Sequence, residues 1–173
     1  MTVEIPQDAL DEYGDLWGTM QYISDTLSIR YATAGLSLPE RKFTAVGDVA
    51  SSLANDCEQV TINFVQAYLG VPGQPDVQAR GCELPMSADF VIQVTRCIPI
   101  PKESRGAGRA ATPPTVAAIE ASTVVQAVDA QILLESAYSM SSVQGISATV
   151  APSGVEGGYQ SVALNLAISL FRA

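Results

Sequence analysis

Residues 159–171 read YQSVALNLAISLF. Val162, Leu164, Leu166, Ile168 and Leu170 alternate strictly with Ser161, Ala163, Asn165, Ala167 and Ser169. A period of two puts the first set on one side of a strand and the second set on the other. The apolar side is a core face. The other side is small and polar, which permits close approach of another element. A sheet therefore lies at the centre of this protein, and the rest of the chain is read for what pairs with it.

Immediately upstream, Gln144 to Ala151 reads as a shorter strand, with Ile146, Ala148 and Val150 alternating. The turn that joins the two runs from Pro152-Ser153-Gly154 to Gly157-Gly158. Before that, the chain is Ala-rich from Thr112-Pro113-Pro114 to about Tyr138. Val116, Ile119, Val124, Val128, Ile132 and Leu133 give it a helical stripe. Thr112 is the expected N-cap, with proline at the first helical positions.

Two more strands are expected earlier. From Glu58 to Leu69, Val60, Ile62 and Phe64 alternate with Thr61, Asn63 and Val65. From Leu84 to Ile98, Phe90, Ile92 and Val94 alternate with Val91, Gln93 and Thr95. A Gly/Pro-rich loop, Gly70 to Gly81, separates them. The segment from Thr33 to Asn55 is irregular, with a short strand at Phe43–Val46.

The N-terminal segment, Gln7 to Arg30, has Leu10, Tyr13, Leu16, Trp17, Met20, Ile23 and Leu27 at steps of three and four, the helical period. Asp8, Asp11, Glu12 and Asp15 occupy its opening turns, where the helix dipole favours anions.

The expected fold is a single α+β domain over residues 1–173. An N-terminal helix at about 7–30 precedes a sheet–helix–sheet body at about 43–171. The strands of each pair are joined by non-helical loops, so a mostly antiparallel sheet of four or slightly more strands is expected, flanked by two main helices.

Composition limits the chemistry. The 173 residues are 47% hydrophobic and 16% charged, which fits a chain with a real core rather than a disordered one. Nine Lys and Arg stand against eighteen Asp and Glu, a formal charge of -9. That argues against a protein whose main task is coating nucleic acid. There is no histidine, so His-based triads, His metal sites and the commonest neutral-pH general base are absent.

Cys57, Cys82 and Cys97 form no C-x-x-C, and they read as free thiols. A Cys57–Cys97 bridge becomes possible if their strands are neighbours. The fragment GAGR at 106–109 lacks the rest of a phosphate loop. Asp11/Asp15 and Asp56/Glu58 supply too few oxygens for a hard cation. No catalytic residue, cofactor site or metal site is expected, and no enzyme. No leader peptide or membrane span is expected either, and the chain reads as soluble and cytosolic.

The loop PIPKESRGAGRAATPP (99–114) concentrates Lys102, Arg105 and Arg109 against a single acid, Glu103. These three residues are the candidate partner-contact site.

Four motifs occur in a suggestive order. Asn55-Asp56-Cys57-Glu58-Gln59-Val60 enters a strand. Phe90-Val91-Ile92-Gln93-Val94-Thr95-Arg96-Cys97-Ile98-Pro99 ends one in R-C-x-P. Val128-Asp129-Ala130 lies in the helix ahead of Leu133-Leu134. Gly157-Gly158-Tyr159-Gln160 opens the last strand. Over roughly Ala50 to Phe171, this order and spacing resembles the small neck proteins encoded beside the capsid and tail genes of tailed phages infecting actinobacteria. Those proteins are described as tail terminators or head-to-tail connectors.

The resemblance implies a structural virion protein, assembled in the host cytoplasm into a homo-oligomeric, six-membered ring. Such a ring caps the finished tail tube and offers the face on which the DNA-filled head docks. Its implied partners are its own copies, the tail tube protein and the other neck proteins. DNA passes through the lumen without specific binding, which a net negative charge suits. The close alternative is a connector or stopper ring of the neck. The alternative of a different class is a non-viral soluble binding module or small enzyme.

Overall fold

In a computed structural model, residues 15–47, 58–75, 85–101, 112–141, 145–154 and 158–170 are described. In chain order the elements are α1 (Asp15–Thr33), β1 (Arg41–Val46), β2 (Gln59–Leu69), β3 (Met86–Cys97), α2 (Val116–Ser141), β4 (Ile146–Pro152) and β5 (Tyr159–Leu170). The five strands form one sheet in the order β1-β2-β3-β5-β4.

The fold is α+β, as the patterning predicts, but the sheet has five strands and is mixed. β1 pairs parallel to β2, with Arg41 opposite Gln59 and Val46 opposite Phe64, and every other pair is antiparallel. The chain leaves β1 at Val46 and re-enters at Gln59 in the same direction, which needs a crossover rather than a tight turn.

The register explains the core. Val60, Val94 and Val162 form one row across β2, β3 and β5. Ile62, Ile92, Leu164 and Val150 form the next, reaching β4, and Phe64, Phe90, Leu166 and Ala148 a third. All point to the face on which both helices lie. Met20, Ile23, Leu27 and Tyr31 of α1 and Ile132, Leu133, Ala137 and Met140 of α2 complete this core.

At Val65 the β2–β3 register slips by one residue. A bulge of this kind inserts an extra residue and turns the side chains beyond it to the opposite face. Gln66 and Tyr68 thereby join Asp89 on the face away from the helices. There Gln66 Nε2 donates to one carboxylate oxygen of Asp89 at 2.7 Å, and Tyr68 Oη donates to the other at 2.9 Å.

Three sequence expectations need correction. Thr112 is not the N-cap: α2 starts at Val116, and Thr115 Oγ1 accepts the Ala118 N–H at 3.2 Å. Val116, Ile119 and Val124 do not join the buried stripe of α2, and Trp17 does not join that of α1; all four are exposed. Cys97 is disulfide-bonded and so is not a free thiol. β2 and β3, the strands beside Cys57 and Cys97, are antiparallel neighbours. Cys57 and Cys82 themselves lie outside the described residues.

Candidate functional site

The apolar rows of the helix-covered face end in a polar one. Arg96 of β3 stands opposite Gln160 of β5, on the same face as Val94 and Val162. Both reach up to α2. Arg96 Nε donates to Asp129 Oδ2 at 2.6 Å and Arg96 Nη2 to Asp129 Oδ1 at 3.0 Å, the bidentate fork that guanidinium and carboxylate favour. Tyr31 Oη of α1 donates to Asp129 Oδ1 at 2.7 Å. Arg96 Nη2 also reaches the Ser37 carbonyl at 3.3 Å, and Glu58 Oε2 lies 3.8 Å from Arg96 Nη1. Gln160 Nε2 donates to the Ser122 carbonyl at 2.6 Å. Gln126 Nε2 of α2 donates back to the carbonyls of Ser153 and Ser161.

This network is where the two helices and the sheet are locked together. Asp129 is only 2% exposed, and three donors surround its carboxylate, which is how a buried acidic side chain is accommodated. Burial pushes the Tyr31 hydroxyl far above its ordinary pKa, and the neighbouring Asp129 carboxylate adds to this. Burial alone would lower Arg96, but the hydrogen bonds and charge of Asp129 outweigh it and leave Arg96 raised. Tyr31 is thus a fixed neutral donor and Arg96 a fixed cation.

In the sequence, Arg96 and Asp129 belong to two separate motifs. They lie 33 residues apart and nothing local links them. The available signal was Arg96 continuing the even-numbered stripe of β3 after Val94.

The opposite face of the sheet is small and polar, as the alternation in β5 predicts. Gln93 Nε2 donates to Ser161 Oγ at 2.9 Å, and Ser161 and Ser153 share a hydroxyl contact of 2.6 Å. A shallow groove of about 290 Å³ runs over this face, lined by Val65, Gly73, Asp89, Ser147, Thr149 and Asn165 among others. Gly73 forms its rim. Its φ of 75° lies in the left-handed region, its N–H donates to Tyr68 Oη at 2.7 Å, and a Cβ there would meet Ser147 at 3.0 Å. Only glycine fits. At the other end of this face, Gln59 Oε1 and Asn63 Oδ1 are buried without a hydrogen-bond partner.

The candidate contact residues Lys102, Arg105 and Arg109 lie outside the described residues, as do Asp11 and Asp56. Asp15 opens α1 and Glu58 is exposed beside Arg96. Among the described residues there is no cluster of three His, Cys, Asp or Glu suited to a metal ion. α2 is long and apolar enough to cross a membrane by length and composition alone. Its second half, however, packs on the sheet through Asp129, Ile132, Leu133, Ala137 and Met140.

The fold and this network define an α+β protein with both described helices on one side of a mixed sheet and a largely polar second side. Compared with known proteins, the chain matches no family model and no curated protein.

Proposed function

We propose that the chain is a structural virion protein that forms a ring at the head-proximal end of a phage tail, ending growth of the tail tube and joining tail to head. The observation that carries this reading is the Arg96–Asp129 pair. Two of the four motifs that resemble the phage neck proteins, R-C-x-P and V-D-A, meet as one buried clamp. Their spacing therefore answers to a single architecture, which is what a family resemblance requires.

The reading assigns the chain no catalytic residue and no cofactor. Its partners are further copies of itself, the tail tube protein and the neighbouring neck proteins. The basic residues Lys102, Arg105 and Arg109 meet acidic surface on one of them, which steers docking more than it adds affinity. A connector or stopper ring of the neck is the alternative position for the same kind of molecule.

Native mass spectrometry of the purified chain and electron microscopy of particles labelled on it test the proposal. Cyclic copies at the head–tail junction are expected. Label on the tube side of the junction indicates a terminator, and label on the portal side a connector. Particles without this chain would remove the virion reading and leave a soluble binding module.

A further inference from the structure

The bulge at Val65 changes the face on which the end of β2 presents its polar side chains. Without it, period two would carry Gln66 and Tyr68 to the helix side with Val60, Ile62 and Phe64. With it, Gln66 stands opposite Asp89 and Tyr68 opposite Ser87, and each donates to a different oxygen of the Asp89 carboxylate. Bulges re-aim side chains in this way beside functional sites.

The carboxylate is thereby fixed but not saturated. Two donors fill two of its roughly four acceptor positions. Among the described residues no lysine or arginine pairs with it, since both ion pairs there belong to Arg96 at the far end of β3. The loop after β2 is tied down beside it. Ser87 Oγ, in a fully buried residue, donates to the Gly70 carbonyl at 2.6 Å, and the Gly70 N–H donates to the Pro85 carbonyl at 2.8 Å. Tyr68 Oη accepts the Gly73 N–H while donating to Asp89, so one hydroxyl joins the rim to the acid.

The groove between this rim and β4 holds about 290 Å³, the low end of what small-molecule sites enclose. Asp89 lies in one row with Ala167 and Ser147, and Val91 in the next with Asn165 and Thr149. The methyl group of Ala167 leaves the space between Asp89 and Ser147 unfilled, and Val65 and Val91 add apolar surface. Ser147, Thr149 and Asn165 are exposed, and their side chains have no hydrogen-bond partner among the described residues. No basic side chain lines the groove.

One side thus offers a fixed anion, the other hydroxyl and amide acceptors, and an apolar strip lies between. The strands that carry Asp89 and Ser147 are two spacings apart, about 9.5 Å. A complementary ligand has an ammonium group, a short methylene chain and a second donor. The single donor end of a lysine or arginine side chain would serve only one side.

We propose that this groove binds a small aliphatic diamine. One ammonium group sits on Asp89, the methylenes lie over Val65, Val91 and Ala167, and the second nitrogen donates to Ser147, Thr149 or Asn165. The net charge of -9 concentrates such cations near the surface. The site is independent of the ring reading, and the oligomeric state does not enter its test.

The probe is diaminobutane, titrated into the isotope-labelled full chain at low salt, where charge pairing is least screened. Saturable shifts of the amide resonances of Gly73, Asp89, Thr149 and Asn165 are expected. Butylammonium, with one donor end, should bind more weakly, and tetramethylammonium, with the charge but no N–H, should not saturate. Asp89→Asn should weaken diaminobutane about tenfold or more, the loss of a hydrogen bond to a charged group. Asn165→Lys, at an exposed position, tethers an ammonium group in the groove and should abolish the response while leaving Asp89 in place. Circular dichroism checks that both variants fold. Shifts that follow ionic strength without saturating overturn the site, as does wild-type affinity in Asn165→Lys. Equal affinity for butylammonium overturns the diamine and gives the groove to a single ammonium group.

Discussion

Replacing Asp129 by Asn keeps the shape of the side chain and removes its charge. In the native protein the carboxylate accepts from Arg96 Nε, Arg96 Nη2 and Tyr31 Oη, at 2.6, 3.0 and 2.7 Å. An amide has one acceptor oxygen, so at least one of the three donors loses its partner, and the Asn NH2 group faces donors rather than acceptors. Breaking a buried ion pair from one side costs about 3–5 kcal/mol. The Arg96 side chain is 15% exposed and keeps Glu58 and the Ser37 carbonyl, which puts the expected loss at the lower end, about 3 kcal/mol. For a chain of this size that corresponds to a fall in Tm of roughly 6–12 °C. Urea unfolding followed by circular dichroism, with an unchanged m value, measures it. Arg96→Met combined with Asp129→Leu removes both charges at once, and the pair should be less destabilised than the sum of the single changes. An Asp129→Asn protein within about 0.5 kcal/mol of wild type, the scatter of ordinary surface changes, refutes the clamp.

Four further outcomes are expected. Tyr31 holds its proton well above the ordinary tyrosine range, so above about pH 10 the unfolded chain sheds a proton that the folded chain keeps, and stability falls as pH rises; Tyr31→Phe should flatten that part of the stability–pH curve, and an unchanged slope counts against it. Leu166 is buried between Phe90 and Ala148 on the core face, so Leu166→Asp should cost on the order of 4–5 kcal/mol, and recovery of normally stable protein would show the register to be wrong. Lys102, Arg105 and Arg109 replaced together by Ser should leave the melting curve unchanged and let free tails or unjoined heads accumulate; a wild-type yield of infectious particles at physiological salt removes the loop from the contact surface. Because β2 and β3 are antiparallel neighbours and Cys97 is disulfide-bonded, non-reducing peptide mapping should return a 57–97 cross-link, and an 82–97 link would refute that expectation.

The strands were legible because their environments are one-sided. Val162 to Leu170 face the helices and Ser161 to Ser169 do not, so period two survives over the whole of β5. β1 was legible as a strand at Phe43–Val46 but not as a parallel one, since its partner is set by a crossover and not by a turn. The bulge left no mark, because Val65 is as suitable for a strand as for a bulge. Hydrophobic periodicity placed Val116, Ile119 and Val124 in a core stripe, yet the buried residues of α2 begin only at Asp129, so the helical period runs on beyond the part of the helix that the core covers. Asp129 was hidden for the opposite reason: an acid in a helix reads as a solvated position until the arginine across the fold is known.

β5 lies between β3 and β4, although it is the last described strand in the chain. The order in which a ribosome delivers the elements is therefore not the order in which they can settle. β1, β2, β3 and α1 emerge early, but β3 lacks its second neighbour, and the Tyr31–Asp129 bond spans 98 residues. At about 5–20 residues per second, the growing chain spends several seconds with the edge of β3 open to the wrong partner. Pairings this distant in sequence also close slowly, because the loop entropy is lost before the contacts are gained. The β4–β5 ladder exists only once the final strand slides into place between β3 and β4.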